Sequence, residues 1–223
     1  MKNRNIAYLT MGLLAFAGLT VTHAAPLQLS IFDPIALQSS ETDISGIRLN
    51  LIYAKNANVT GLDLGLANKT TGNFTGIQFG ALNCADGDVS GLQYGFLVNH
   101  AGGNASGVQE AWLVNCVEGD VTGAQMAGIL NVVKGDVAGV QGALINWPKG
   151  SLTGVQFGGL NCAGSVEGVQ VGVLNHSASV DGLQVGLFNC ANELMGIQIG
   201  LLNRVGSRDV LAGGLLPFVN AAW

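Results

Sequence analysis

The chain has 223 residues, of which 48% are hydrophobic and only 10% charged, and its formal net charge is −5. An acidic chain without a basic cluster excludes nucleic acid and anionic membrane surfaces as expected partners. The 34 glycines have no strict every-third spacing and prolines number only four, which excludes collagen and argues against a disordered low-complexity chain.

Residues 1–25 have the order of a secretory signal peptide. Lys2 and Arg4 precede an apolar run from Ile6 to Val21, and small residues follow at Ala24 and Ala25. We expect cleavage after one of these two alanines. No later stretch reaches the ~20 apolar residues of a transmembrane helix, so we expect none in the mature chain. The sequence therefore predicts an exported protein of the periplasm, the outer surface or the medium.

Most of the remaining chain repeats the motif G-x-Q-x-G-x-x-N, with weaker copies at the start. The leading glycines are Gly46, Gly61, Gly76, Gly91, Gly107, Gly123, Gly139, Gly154, Gly168, Gly182 and Gly196. Apolar residues alternate with other types in steps of two, which predicts strands. Like units at nearly uniform spacing predict that each copy stacks on the previous one in parallel register.

The predicted fold is all-β, a single β-solenoid of about eleven rungs of 14–16 residues. The repeats occupy residues 46–204, between an N-terminal cap at 26–45 and a C-terminal cap at 205–223. Sixteen residues at ~3.3 Å each give a perimeter near 50 Å, and facing strands ~10 Å apart use nearly all of it. The interior then holds one layer of side chains and no ligand cavity, so we expect binding on an outer face or at an end.

Two amide columns recur along the repeats. Stacked asparagines can donate to one rung and accept from another, which predicts a structural ladder after Asn68: Asn83, Asn99, Asn115, Asn131, Asn146, Asn161, Asn175, Asn189 and Asn203. The second column comprises Gln78, Gln93, Gln109, Gln125, Gln141, Gln156, Gln170, Gln184 and Gln198. We expect the aliphatic residues one and three positions after each leading glycine to point inward and the glutamines outward. Glu110 is then an exception at an inward position.

The position after each ladder asparagine holds the cysteines and histidines of the repeats, namely Cys84, His100, Cys116, Cys162, His176 and Cys190. Two Cys-His-Cys sets of this kind are candidate soft-metal sites. Cysteines two rungs apart would lie about 9.6 Å apart, which is long for a shared metal and beyond the ~7 Å that a disulfide allows. We prefer a turn position that accepts small or flat side chains, with four free thiols, no metal and no cofactor.

The tandem motif, the opening LQLSIFDPIALQSSETDISGIRLNLIY and the closing LLPFVN resemble the bacterial surface repeat-containing proteins over essentially all of the mature chain. The resemblance implies an exported repeat protein at the cell envelope and supplies no catalytic residues. A G-x-S-x-G motif, a phosphate-binding loop and H-E-x-x-H are also missing from the sequence. We expect a non-enzymatic structural, adhesive or surface-interaction role, with an unknown envelope partner or self-association.

Two alternatives remain open from the sequence. Export, strand alternation and abundant glycine also permit an outer-membrane β-barrel protein, although its antiparallel strands would alternate between short turns and long loops. A flat column of hydroxyls would suit an ice- or polysaccharide-binding solenoid: Thr60, Thr75, Ser90, Ser106, Thr122 and Thr153.

Overall fold

The computed structural model describes residues 24–206 and 215–223. Residues 1–23 of the predicted signal peptide therefore lie outside the described residues. The described ranges contain strands and no helix. The strands are β1 (Ala25–Phe32), β2 (Ile35–Ala36), β3 (Ile44–Asn50), β4 (Tyr53–Asn56), β5 (Val59–Leu64), β6 (Ala67–Thr70), β7 (Phe74–Ala85), β8 (Val89–Ala101), β9 (Ala105–Ala111), β10 (Val114–Val117), β11 (Val121–Ala127), β12 (Leu130–Val133), β13 (Val137–Pro148), β14 (Ser151–Val205) and β15 (Leu215–Ala222).

Successive repeats stack in parallel with like residues in register. Between β7 and β8, for example, Gly76 pairs with Gly91 and Asn83 with Asn99. The register shifts between these two pairs, where the longer copy in β8 accommodates its extra residue. The predicted all-β solenoid is confirmed. The alternative with antiparallel neighbours is wrong, because the described strands pair antiparallel only at β1–β2 and β14–β15.

The leading glycines turn the backbone in a conformation that other residues rarely adopt. All eleven have positive φ, for example +128° at Gly123. A Cβ atom at Gly123 would also collide with the carbonyl oxygen of Gly107 in the preceding rung. Glycine is therefore required twice over, by the dihedral angle and by the close approach of stacked backbones.

The interior has an apolar strip and a polar strip. The apolar strip comprises residues two positions before each leading glycine, such as Val121 and Leu152, and residues two positions after the ladder asparagines, such as Val117 and Val133. Beside the apolar strip, fully buried glutamines and asparagines fill the rest of the cross-section of the coil. One layer of side chains thus fills the space between the two walls of the coil.

The prediction that the glutamines point outward is wrong. Gln78 through Gln198 in the glutamine column are buried, whereas exposed side chains one and three positions after the glycine include Ile77, Phe79 and Phe157. Glu110, expected inside, is also exposed. The cause is strand alternation: the residue two before each glycine and the glutamine two after it share a face. Burying the first column therefore buries the glutamines and turns the other aliphatic columns outward.

Both ends of the coil are covered by extra strands. At the start, β1 stacks on β3 as a further rung, with Gln28 opposite Arg48, and β2 folds back on β1. At the other end, β15 runs antiparallel to the last rung of β14, and the Asn220 amide donates to Gln198 Oε1 over 3.0 Å. The open hydrogen-bonding edges of the last rungs are thereby partly covered. Within the described ranges, no helix is long and apolar enough to cross a membrane.

Candidate functional site

The glutamine ladder is a continuous chain of buried hydrogen bonds that runs along the solenoid. Each Nε2 donates to Oε1 of the preceding rung, as from Gln141 to Gln125 over 2.7 Å and from Gln156 to Gln141 over 2.8 Å. Every amide in the middle of the column thus donates once and accepts once within it. Burial of these polar groups is offset because each finds its partner one rung away.

The asparagine ladder has the same construction but the opposite direction. Each Nδ2 donates to Oδ1 of the following rung, as from Asn115 to Asn131 over 3.0 Å and from Asn131 to Asn146 over 2.9 Å. The second Nδ2 proton is taken by a backbone carbonyl, which for Asn131 is that of Gly142 at 3.1 Å. The two ladders have opposed amide dipoles, so they cancel much of each other's field along the axis.

A buried ion pair stands at the N-terminal start of the glutamine ladder. Arg48 and Asp63 occupy the glutamine positions of two early rungs, and Arg48 donates to both carboxylate oxygens, at 2.7 and 2.6 Å. Gln78 donates to Asp63 Oδ2 at 2.6 Å, and Arg48 also donates to the Lys69 carbonyl at 2.8 Å. Sequence reasoning missed this pair, although a single Arg and a single Asp in the glutamine column were a signal.

The cysteine and histidine positions form an outer column, in which the four cysteines and His100 are half-buried and His176 is exposed. His100 pairs in register with Cys84 on one side and Cys116 on the other, and all four cysteines are free thiols. Across residues 24–206 and 215–223, no three His, Cys, Asp or Glu side chains converge into a cluster that could hold a metal. Burial raises the pKa of the Cys116 and Cys162 thiols, with a smaller contribution from Glu118 at Cys116. Thiols that resist ionisation are poor ligands and poor nucleophiles.

One edge of the solenoid is polar and acidic. A column of aspartates and asparagines, the Asx column, lies at its turns, and each side-chain oxygen accepts a hydrogen bond from a backbone N–H of the following rung. Its members are Asp43, Asn58, Asn73, Asp88, Asn104, Asp120 and Asp136. The hydrogen bond from the Ser151 N–H lowers the pKa of Asp136. An ion pair with Lys134 likewise lowers the pKa of Glu118 beside this edge. The edge is therefore a charged, hydrated surface.

The opposite corner is apolar in ten of the eleven rungs, with Gly159 at the corner of the remaining one, and we call it the apolar corner. It comprises exposed side chains between the two strand segments of each repeat: Leu51, Leu66, Leu82, Phe96, Trp112, Ile129, Leu144, Val173, Leu187 and Leu201. Trp112 is 59% and Leu144 58% exposed, and the Phe96 and Trp112 rings lie 4.9 Å apart between centroids. Ordinary protein surfaces have single, scattered hydrophobic residues, whereas these side chains form a row along the solenoid.

The strand face next to this corner is also apolar, and we call it the apolar face. It consists of the residues one and three positions after each leading glycine, including Ile77, Phe79, Phe157, Val171 and Ile199, each exposed by about two fifths. The charged side chain on it is Glu110. On this wall of the coil the apolar side chains lie outside and the amide side chains lie inside. This is the reverse of the usual arrangement, in which apolar residues are buried and polar residues are exposed.

A shallow trough separates the apolar face from the apolar corner. Its floor is the backbone of Gly158, Gly172, Gly186 and Gly200, and its sides are Phe157, Val171, Val185 and Ile199 against Val173, Leu187 and Leu201. This groove has a volume of about 620 Å³. A second groove of about 560 Å³ shares Phe157 and Gly158 and continues past Trp112. Together they run along the axis for much of the array.

The hydroxyl column is exposed at its Thr and Ser positions but broken by Ala138 and continued by Glu167 and Asp181. The hydroxyl array is therefore interrupted after Thr122. No known family model, no curated protein and no solved structure matches the chain.

Proposed function

We propose that the protein is an exported, non-enzymatic structural repeat protein of the bacterial envelope that acts by contact through its apolar face and apolar corner. The observation that carries the proposal is the inverted distribution of side chains. Amides fill the half of the interior next to the corner, while Leu, Ile, Phe, Val and Trp cover its outside in all rungs but that of Gly159. Apolar surface of this extent marks an interaction site rather than a free surface.

The filled interior supports the non-enzymatic part of the proposal. Side chains of both walls meet in one layer, and the larger grooves are open to the outside. Among the described residues, thiols and imidazoles are spread along one outer column, and no three His, Cys, Asp or Glu side chains converge there. Catalysis needs a nucleophile or base held together with a second group and shielded from water. A rigid surface for contact needs only regular stacking.

The export part of the proposal rests on the sequence. Residues 1–25 have the charged start, apolar run and small-residue end of a signal peptide. The low content of charged residues and the resemblance to bacterial surface repeat-containing proteins agree with a place at the envelope. The acidic edge would then face water while the apolar side is covered.

Fractionation of bacteria that express the full chain tests the location. We expect the mature chain, starting at Ala25 or Pro26, outside the cytosol. A matched variant with Leu13→Arg and Leu14→Arg should stay uncleaved in the cytosol, because charges interrupt the apolar run. An intact N-terminus on wild-type protein in the cytosol would contradict the export proposal.

Retention at the envelope tests the contact surface. Leu144→Lys places a charge on the apolar corner and should release the exported protein from the washed envelope fraction. Thr153→Lys is the matched control, because it adds the same charge at an exposed position in the next rung, away from the corner. Equal retention of both variants and wild type would mean that the apolar surface does not hold the protein there.

A further inference from the structure

We infer that the apolar face binds a second copy of this chain, face to face, with the side chains beside the trough of each copy inserted into the trough of the other. The inference names the partner of the proposed contact surface and therefore rests on the proposed function. The order of the columns across the face carries it.

The edge of the apolar face forms a ridge, and the trough lies directly beside it. The ridge is the column Phe157, Val171, Val185 and Ile199, and the trough follows one residue later at Gly158, Gly172, Gly186 and Gly200. A two-fold axis parallel to the solenoid, between ridge and trough, places the ridge of each copy over the trough of its partner. Such a contact is self-complementary, as an isologous dimer requires.

The period of the columns lets the fit recur from rung to rung. Stacked strands rise ~4.8 Å per rung, so ridge and trough positions recur with that spacing along each copy. The trough residue is glycine or alanine in every rung from that of Gly61 onward, and Gly142 interrupts the ridge once. A partner with another period would lose register after a few rungs. A second copy keeps it along the array, as interdigitating sheets do in dry side-chain interfaces.

The area of the face suits a stable dimer. Eleven rungs at ~4.8 Å give a length of about 50 Å, and about five strand residues at ~3.3 Å give a width of about 16 Å. The contact would cover about 800 Å² on each copy, or about 1,600 Å² in total, which is the size of a typical specific interface. The grooves near its middle are lined mainly by apolar side chains and glycine.

Charge placement favours the same partner. The acidic Asx column lies on the opposite edge, so it stays in water when two apolar faces meet. The apolar face has no basic side chain among its described members, so neither an acidic partner nor an anionic lipid surface gains an ion pair there. Its single charge, Glu110, holds the ridge position of one rung, so the dimer contains one close pair of carboxylates there and none at the other rungs.

Light scattering on the mature chain at micromolar concentration tests the inference. Wild type should have twice the mass of one chain. Phe157→Glu should weaken association by more than about tenfold, because the two-fold axis brings two like charges into one apolar contact. Thr153→Glu, at an exposed position of the same rung, should remain dimeric, since the same column already holds Glu167 and Asp181.

A second variant covers the case in which Phe157→Glu does not fold. Val171→Glu, one rung on, should also give single chains with unchanged circular dichroism. A monomeric wild type, or a dimer that both variants leave intact, would overturn the inference. Binding of a monomeric wild type to vesicles of neutral phospholipid would assign the face to lipid, against a second copy, while the proposed contact function would still stand.

Discussion

The ion pair at the start of the glutamine ladder gives the sharpest test of the ladder itself. Arg48 and Asp63 stand where other rungs have glutamine, and both are fully buried. Asp63→Gln leaves the Arg48 guanidinium buried without its carboxylate. Loss of one partner of a buried pair usually costs about 3–5 kcal/mol, and we expect a decrease of that size in the free energy of unfolding.

The double variant should recover most of this loss. With glutamine at both positions, the ladder would continue from Gln78 through residues 63 and 48 without a charge. The bonds from Arg48 to the Lys69 carbonyl, Thr70 Oγ1 and Asn56 Oδ1 would be lost. We therefore expect the Arg48→Gln, Asp63→Gln protein to be within about 1–2 kcal/mol of wild type. Arg48→Gln alone should fall between, because Gln78 still donates to the carboxylate.

Urea unfolding followed by circular dichroism would measure all four proteins, with Thr60→Gln as a control on the same strand. That side chain is exposed, so its replacement should change the free energy of unfolding by no more than about 0.5 kcal/mol. The reasoning fails if the double variant is as unstable as Asp63→Gln or if the two single losses simply add. Either result would mean that glutamines cannot extend the ladder.

Gln141→Met should lower the free energy of unfolding by about 2–4 kcal/mol, because it orphans a buried donor and a buried acceptor in the neighbouring rungs; a loss like that of a surface variant in urea unfolding would contradict the inward ladder. Gly123→Ala should destabilise at least as much, or prevent folding, because alanine is strained at φ +128° and its Cβ meets the Gly107 carbonyl; a soluble, wild-type-like melting curve would argue against the stacking. The pKa of Asp136 is lower in the folded protein than its ordinary value of 3.8. The ionised carboxylate therefore stabilises the fold fully above pH 3.8, and this stabilisation is lost as pH falls through the folded-state pKa. Asp136→Asn should accordingly show a smaller drop in melting temperature on acidification than wild type. The four thiols should be found unpaired by mass spectrometry of alkylated, unreduced protein, and an internal disulfide would mean that the rungs are stacked differently. Cys116 and Cys162, whose pKa is raised by burial, should react slowly at neutral pH.

The sequence predicted the stacking well because it depends on period alone. Residues one repeat apart are the residues in register, so the leading glycines and ladder asparagines lie together once the copies are aligned. The glycine requirement also follows from recurrence, since only a tight backbone approach explains glycine at one position in all eleven copies.

The sequence did not predict which columns point inward, because two aliphatic columns of opposite parity compete for one interior. We expected the glutamines outside because the opposite parity exposes the aliphatic column beside them, and the amide ladder reversed that preference by satisfying its own hydrogen bonds. Variation among the repeats was the overlooked signal. The glutamine column is uniform from Gln78 to Gln198, whereas the ridge position varies from Phe157 to Glu110.

The opposed ladders also bear on how such a protein evolves. Each rung donates to one neighbour and accepts from the other in both columns, so excision of a whole repeat, such as residues 123–138, brings together two surfaces that already match. Insertion of a repeat leaves no orphaned amide for the same reason. The exceptions are the two caps and the two rungs that hold Arg48 and Asp63. Gene-level duplication and loss of repeats can therefore change the length of the molecule, and with it the area it presents, without new mutations inside a rung.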